Sequence, residues 1–147
     1  MHDSDFMELA LAQARLALAQ GEVPIGAVLV VDGAVAAADF NRPISAVDPT
    51  AHAEVLVLRR GATLRGNYRL AGATLYATVE PCLMCLGALL NARVARLVYG
   101  ADEPKFGAVR SRLDLAALQL NHRIEVVSGV GADEARRLLQ DFFKDRR

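Results

Sequence analysis

Apolar residues recur at helical spacing from Phe6 through Ala19, with Gly21 as a stop, so the chain is predicted to open on an amphipathic helix. Asp5 and Glu8, three residues apart at the start of that run, resemble a capping box. The pattern then changes period. Ile25–Val31 is an unbroken apolar run, Asp32-Gly33 has tight-turn chemistry, and Ala34–Phe40 is a second run, which together predict a β-hairpin. Arg42–Pro49 is rich in turn residues and reads as a loop. Helical spacing returns from Thr50 to Arg60, with an end expected near Gly61. Ala73–Val79 reads as a strand, Cys82 to about Asn91 as a helix, and Ala95–Ala101 as a strand. A short helix over Leu113–Leu118, a strand over Arg123–Gly129 and a final helix over Ala132–Lys144 complete the chain. A hairpin followed by strand–helix alternation predicts an α/β fold: a three-layer α/β/α sandwich on a five-stranded mixed sheet.

With 147 residues, 53% of them hydrophobic and 23% charged, the chain suits one globular domain with a full core over residues 1–147. No apolar run approaches the roughly 18 residues of a membrane span, so no membrane partner is expected. An N-terminus with acids ahead of its apolar residues is unlike a signal peptide. With only two cysteines besides, the expected compartment is a reducing cytoplasm, without a structural disulfide.

Net charge is zero but unevenly spread. Residues 1–58 carry two basic and eight acidic side chains, a net of −6; residues 59–147 carry fifteen and nine, a net of +6. A basic surface is therefore compatible with the neutral total. A solvated helix face explains such a balance too.

The chemistry concentrates in two short stretches. Cys82 and Cys85 follow Pro81 at a predicted strand-to-helix handover, where ligand sites gather in sheets of this kind. A helix start favours thiolate over thiol, which suits metal ligation and thioredoxin-like redox chemistry equally. The second stretch, "DPTAHAE" (Asp48–Glu54), begins another predicted helix. Residues i and i+2 point about 200° apart around a helix axis, so His52 and Glu54 would share no side face. Side chains in a first turn, however, lean back and can converge beyond the terminus. His52, Cys82 and Cys85 around one ion leave a fourth tetrahedral position open, the pattern of a catalytic zinc site with one Zn2+ per chain. Two thiolates weaken the pull of the metal on a bound water, and Glu54 is then the base that water needs. His-x-Glu with Pro-Cys-x-x-Cys is the zinc-deaminase signature.

These motifs, with "NRPI" (Asn41–Ile44), "NYRL" (Asn67–Leu70), "LNHRIEV" (Leu120–Val126) and "GADEARRLLQDFF" (Gly131–Phe143), resemble the cytidine-deaminase superfamily over nearly the whole chain. Within it, the chain resembles the bacterial tRNA-specific adenosine deaminases. The resemblance implies a cytidine-deaminase-like fold, with His52, Cys82 and Cys85 as zinc ligands and Glu54 as catalytic proton shuttle. Asn41 and the Ala53 backbone would hold the purine. The implied reaction is hydrolysis of adenosine to inosine at the wobble position of a tRNA anticodon stem-loop, whose single-stranded loop lets the base splay into a pocket, and the resemblance implies a homodimer. Lys105, Phe106, Arg110 and Arg112 in one loop, with Phe143, Lys144, Arg146 and Arg147 at the C-terminus, are the candidate RNA contacts. Glu103 stands where such enzymes often carry Asp, and Phe106 where the residue is usually small. The nearest alternative activity is deamination of guanine or another free base or nucleoside.

Overall fold

Strand β1 (Gly26–Val31) pairs antiparallel with β2 (Ala34–Phe40) across the Asp32-Gly33 turn, as the run–turn–run pattern predicts. The structure is a computed structural model that describes residues 1–146. Helix α1 (Asp3–Ala19) precedes the hairpin and α2 (Ala53–Arg65) follows it. Next come β3 (Thr74–Val79), α3 (Leu83–Ala92), β4 (Arg96–Ala101), a 3-10 turn at Leu115–Ala117, β5 (Glu125–Val127) and α4 (Ala132–Lys144). The sheet order is β2-β1-β3-β4-β5, with β3, β4 and β5 parallel and β1 antiparallel to both its neighbours.

Successive residues of the inner strands face opposite sides, and a separate core fills each side. Leu29, Leu75, Ala77, Leu97 and Tyr99 pack with Ala53, Val57 and Leu58 of α2 and Leu89 of α3. Val28, Val30, Tyr76 and Val98 pack with Phe6, Met7 and Leu11 of α1 and Leu138 of α4. This is the predicted α/β/α sandwich. A strand buried on both faces has no polar alternation to show, which is why β1, β3 and β4 read as continuous apolar runs. Each fully buried Leu or Val contributes about 1.5–3 kcal/mol relative to exposure.

Several predicted boundaries move. The first helix starts at Asp3, and the Asp5 carboxylate accepts the His2 N–H at 2.7 Å, so the cap lies three residues before the Asp5–Glu8 pair. Helix α2 continues through Gly61 to Arg65. Gly61 is no stop: a Cβ there would lie 2.2 Å from Leu29 Cδ2, so glycine serves the close approach of helix to sheet. The left-handed residue that ends the helix is Gly66, at φ 68°. The strand expected over Arg123–Gly129 shrinks to Glu125–Val127, and the short helix to one 3-10 turn.

Because β2 and β3 both run antiparallel to β1, they end on the same side of the sheet. The segments that leave them carry Asn41 and Cys82.

Candidate metal centre

Both ligand-bearing segments meet as helix caps. His52 is the N-cap residue of α2 (φ −76°, ψ 148°) and Cys82 that of α3 (φ −77°, ψ 176°). Neither side chain caps its own helix. They turn toward each other instead: His52 Nδ1 lies 3.6 Å from Cys82 Sγ and 3.5 Å from Cys85 Sγ. The three ligand atoms lie within 4.8 Å of one another, and among the described residues they form a group able to hold a metal ion. A tetrahedral zinc with Zn–S of about 2.3 Å and Zn–N of about 2.0–2.1 Å requires N and S about 3.6 Å apart. The donors therefore fit.

Cys82 is half-buried and Cys85 fully buried. Hydrogen bonding from Cys85, then from His52, lowers the Cys82 thiol to about 4 against the opposing effect of burial. The same Cys82 hydrogen bond, followed by burial, pushes Cys85 up. Hydrogen bonding to Cys82 raises His52. Negative charge thus settles on one sulfur, and a divalent cation in the triangle would let both thiols ionise.

Glu54 sits in the first turn of α2, only 4% exposed. Burial raises its pKa, and its carboxyl senses His52, Cys82 and Cys85, so it faces the triangle. Ala53 is fully buried at the first helical position, where an amide has no acceptor within its own helix. Asn41 leaves β2 with its backbone N–H donating to Ile25 O at 2.9 Å. Its side chain is buried, and its Oδ1 accepts from no donor of the protein. An orphaned acceptor of this kind is what a ligand donor or bridging water would satisfy.

Two carboxylates that the sequence pattern did not single out build the walls. Glu22, 1% exposed, accepts the amides of Ile44 (3.3 Å) and Ser45 (2.7 Å), fastening the loop after Asn41. Glu80, 3% exposed, precedes Pro81 and gathers donors from the segment after β4: Glu103 N, Val109 N, Arg110 N, Ser111 N and Ser111 Oγ. Burial works against its charge, but these hydrogen bonds outweigh it and hold its pKa below the ordinary carboxylate range. The only signal in the sequence was a carboxylate between a buried strand and a proline.

The candidate RNA contacts divide. Lys105 and Arg112 are exposed, and Phe106 is 71% exposed. Arg110 is exposed but donates to Ser128 Oγ at 2.6 Å. At the C-terminus Phe142 is core, while Phe143 is 52% exposed and meets it edge-on. Lys144 is exposed. Arg146 is folded back, 3.9 Å over the Phe142 ring and donating to Gly21 O. That contact ties the tail to the turn that follows α1. Arg147 lies outside the described residues.

The whole chain, residues 1–147, matches the family described as MafB19-like deaminase. It is 48% identical over 147 residues to the tRNA-specific adenosine deaminase of Haemophilus influenzae, covering 99% of this chain and 85% of the relative. A solved structure from studies of A-to-I editing by tRNA:A34 deaminases at the wobble position of transfer RNA superposes with a TM-score of 0.89. It is 48% identical, and the match covers 92% of this chain and 99% of the other. The guanine deaminase of Bacillus subtilis is more distant, at 32% identity and a TM-score of 0.68, over 82% of this chain and 88% of the other.

Proposed function

Since the chain belongs to the MafB19-like deaminase family, we propose that it hydrolyses adenosine to inosine, with release of ammonia, at the wobble position of a tRNA anticodon loop. The observation that carries the reaction class is the metal-sized triangle of His52, Cys82 and Cys85, faced by the buried Glu54. The choice of tRNA over a free base is supported by the 48% identity to a tRNA-specific adenosine deaminase, against 32% to a guanine deaminase. A redox role for the two cysteines falls away with membership of a deaminase family.

His52, Cys82 and Cys85 would hold one zinc ion. Zinc bound there supplies Lewis acidity, lowering the pKa of a water molecule. Glu54 takes a proton from the attacking water and delivers it to the purine ring nitrogen N1. Its burial strengthens that exchange, because a carboxylate in a dry site is a better base than one in water. Asn41 donates through its amide to the purine edge, at N7, and accepts through the oxygen left without a protein partner. The Ala53 backbone holds the base from the helix start. An adenosine in a single-stranded loop can splay into such a pocket without breaking a duplex.

The exposed Lys105, Phe106 and Arg112, with Arg110, receive the stem-loop backbone and a stacked base. Phe143 and Lys144, exposed at the end of α4, are further candidates for RNA contact. The whole chain works as one cytoplasmic deaminase domain in a homodimer, a state compatible with Leu83 (66% exposed) and Met84 (37% exposed) on α3.

Incubation with an anticodon stem-loop carrying adenosine at the wobble position, and separately with guanine, tests the reading. Inosine in the stem-loop is the expected product. Consumption of guanine with no inosine formed would replace this function with the free-base one.

A further inference from the structure

Across Gly107–Arg112, no backbone N–H lacks an acceptor. Gly107 donates to Glu103 O at 2.8 Å, Ala108 to Pro81 O at 2.9 Å, and Arg112 to Gly107 O at 2.8 Å. The three between them converge on one atom. Val109 (3.1 Å), Arg110 (2.8 Å) and Ser111 (2.9 Å) all donate to Glu80 Oε2. Glu80 Oε1 takes the Glu103 amide at 3.0 Å and the Ser111 hydroxyl. Cys82 and Gly107 form a bridge between the same two segments. The fit leaves no slack: a Cβ on Gly107 would stand 2.3 Å from Glu80 Cδ. A segment without regular secondary structure is thus wound around one buried carboxylate, two residues before a ligand-bearing cysteine. Only an ionised carboxylate can accept from five donors at once, since it has lone pairs and no proton of its own.

We infer that Glu80 is a positioning residue for substrate selection: it holds Lys105, Phe106 and Arg110 at a set place beside the metal triangle, so that a nucleic-acid loop and not a free base is engaged. The role rests on the RNA reading of that loop given above. Phe106 carries 71% of its surface into solvent, between the Glu103 and Gly107 amides that the knot holds. Presenting a large apolar ring in this way has no folding benefit, but a rigid ring loses little entropy on stacking a base. The carboxylate touches no reacting atom and acts through the loop.

Substituting Glu80→Gln sets an NH2 group against at least one N–H donor whichever way it turns. Facing Glu103 N is the lesser conflict, so part of the knot survives. Glu80→Ala removes all five bonds, and Ser111→Ala removes only the hydroxyl. Trypsin cleavage after Lys105, Arg110 and Arg112, followed by mass spectrometry on the metal-loaded protein, reads loop opening without reference to activity. Cleavage is expected to accelerate in the order Ala > Gln at position 80 > Ser111→Ala, by about tenfold or more for Glu80→Ala, because nicking tracks the open population. On the stem-loop, KM rises about tenfold in Glu80→Ala with kcat within about threefold, the signature of lost uniform binding. Zinc content stays at the wild-type level.

Equal cleavage rates at these three sites in the Gln and wild-type proteins would overturn the inference. So would a fall in kcat and zinc content together at unchanged KM, which is what general structural damage produces. If Glu80→Ala does not fold, Glu80→Gln and Ser111→Ala carry the same series. If the wild type forms no inosine, the function proposed above fails, while the cleavage series still decides whether Glu80 holds the loop.

Discussion

Replacing Asn41 with Ala separates a residue kept for a ligand from one kept for the fold, because the two roles give opposite signs. The side chain is buried, and its Oδ1 meets no protein donor. A buried acceptor left in that condition costs about 1–3 kcal/mol. Truncation removes the cost but also removes the packing of the three heavy atoms beyond Cβ, of which only Cγ is apolar, worth about 1 kcal/mol. The folded chain should therefore be unchanged or stabilised by up to about 2 kcal/mol, a Tm rise of as much as about 4–8 °C at about 2–4 °C per kcal/mol. Catalysis should move the other way. With the purine edge unpaired in a closed site, about 1–3 kcal/mol is lost, so kcat/KM on the stem-loop falls about 5- to 150-fold. Calorimetry and single-turnover kinetics on the same preparation measure both. A Tm drop of more than about 4 °C, with undiminished kcat/KM per folded molecule, would show that Asn41 supports the fold and reads no base.

Glu54→Gln should retain one zinc per chain by metal analysis and lose about 10²- to 10⁴-fold in kcat, the usual share of a general acid–base group. Cys85→Ala should lose both zinc and activity, and chelation of the wild type should abolish turnover until zinc is restored. Asp3 is held down to about 2 from 3.8, chiefly by the Arg96 hydrogen bond and also by Tyr76, with burial opposing. A depressed carboxylate stabilises the fold fully above its unfolded value and loses that contribution as pH falls from about 4 through about 2. Asp3→Asn should thus cost about 1 kcal/mol at pH 7, a figure reduced for its exposure, and the gap to wild type should close over that acid window in urea titrations. Gly61→Ala should cost about 1–3 kcal/mol, since the new methyl lands 2.2 Å from Leu29 Cδ2; an unchanged urea midpoint would mean α2 shifts freely on the sheet.

The elements themselves were legible in the chain because their signals are local. Side-chain period distinguishes α1 and α4 from the strands, and Asp32-Gly33 announces its turn within two residues. The chemistry was legible too, because His52, Glu54, Cys82 and Cys85 are short-range motifs at helix starts. Boundaries were less so: Gly61 looks like a helix stop in the sequence and is a contact with Leu29, a residue thirty-two positions earlier.

What the sequence by itself determined is thus the α/β class, the ligand-bearing residues and the resemblance that those motifs carry. Only the tertiary structure decided that His52 and Cys82 are both N-caps aimed at one point, and that Asn41 keeps an acceptor with no partner in the protein. It also decided that Glu80 and Glu22 organise the loops and that Arg146 is spent on Phe142. The reason is range. A period or a motif is written within a few residues, whereas the partner of a buried carboxylate is whatever backbone the fold brings back to it, twenty-three to thirty-one positions away for Glu80.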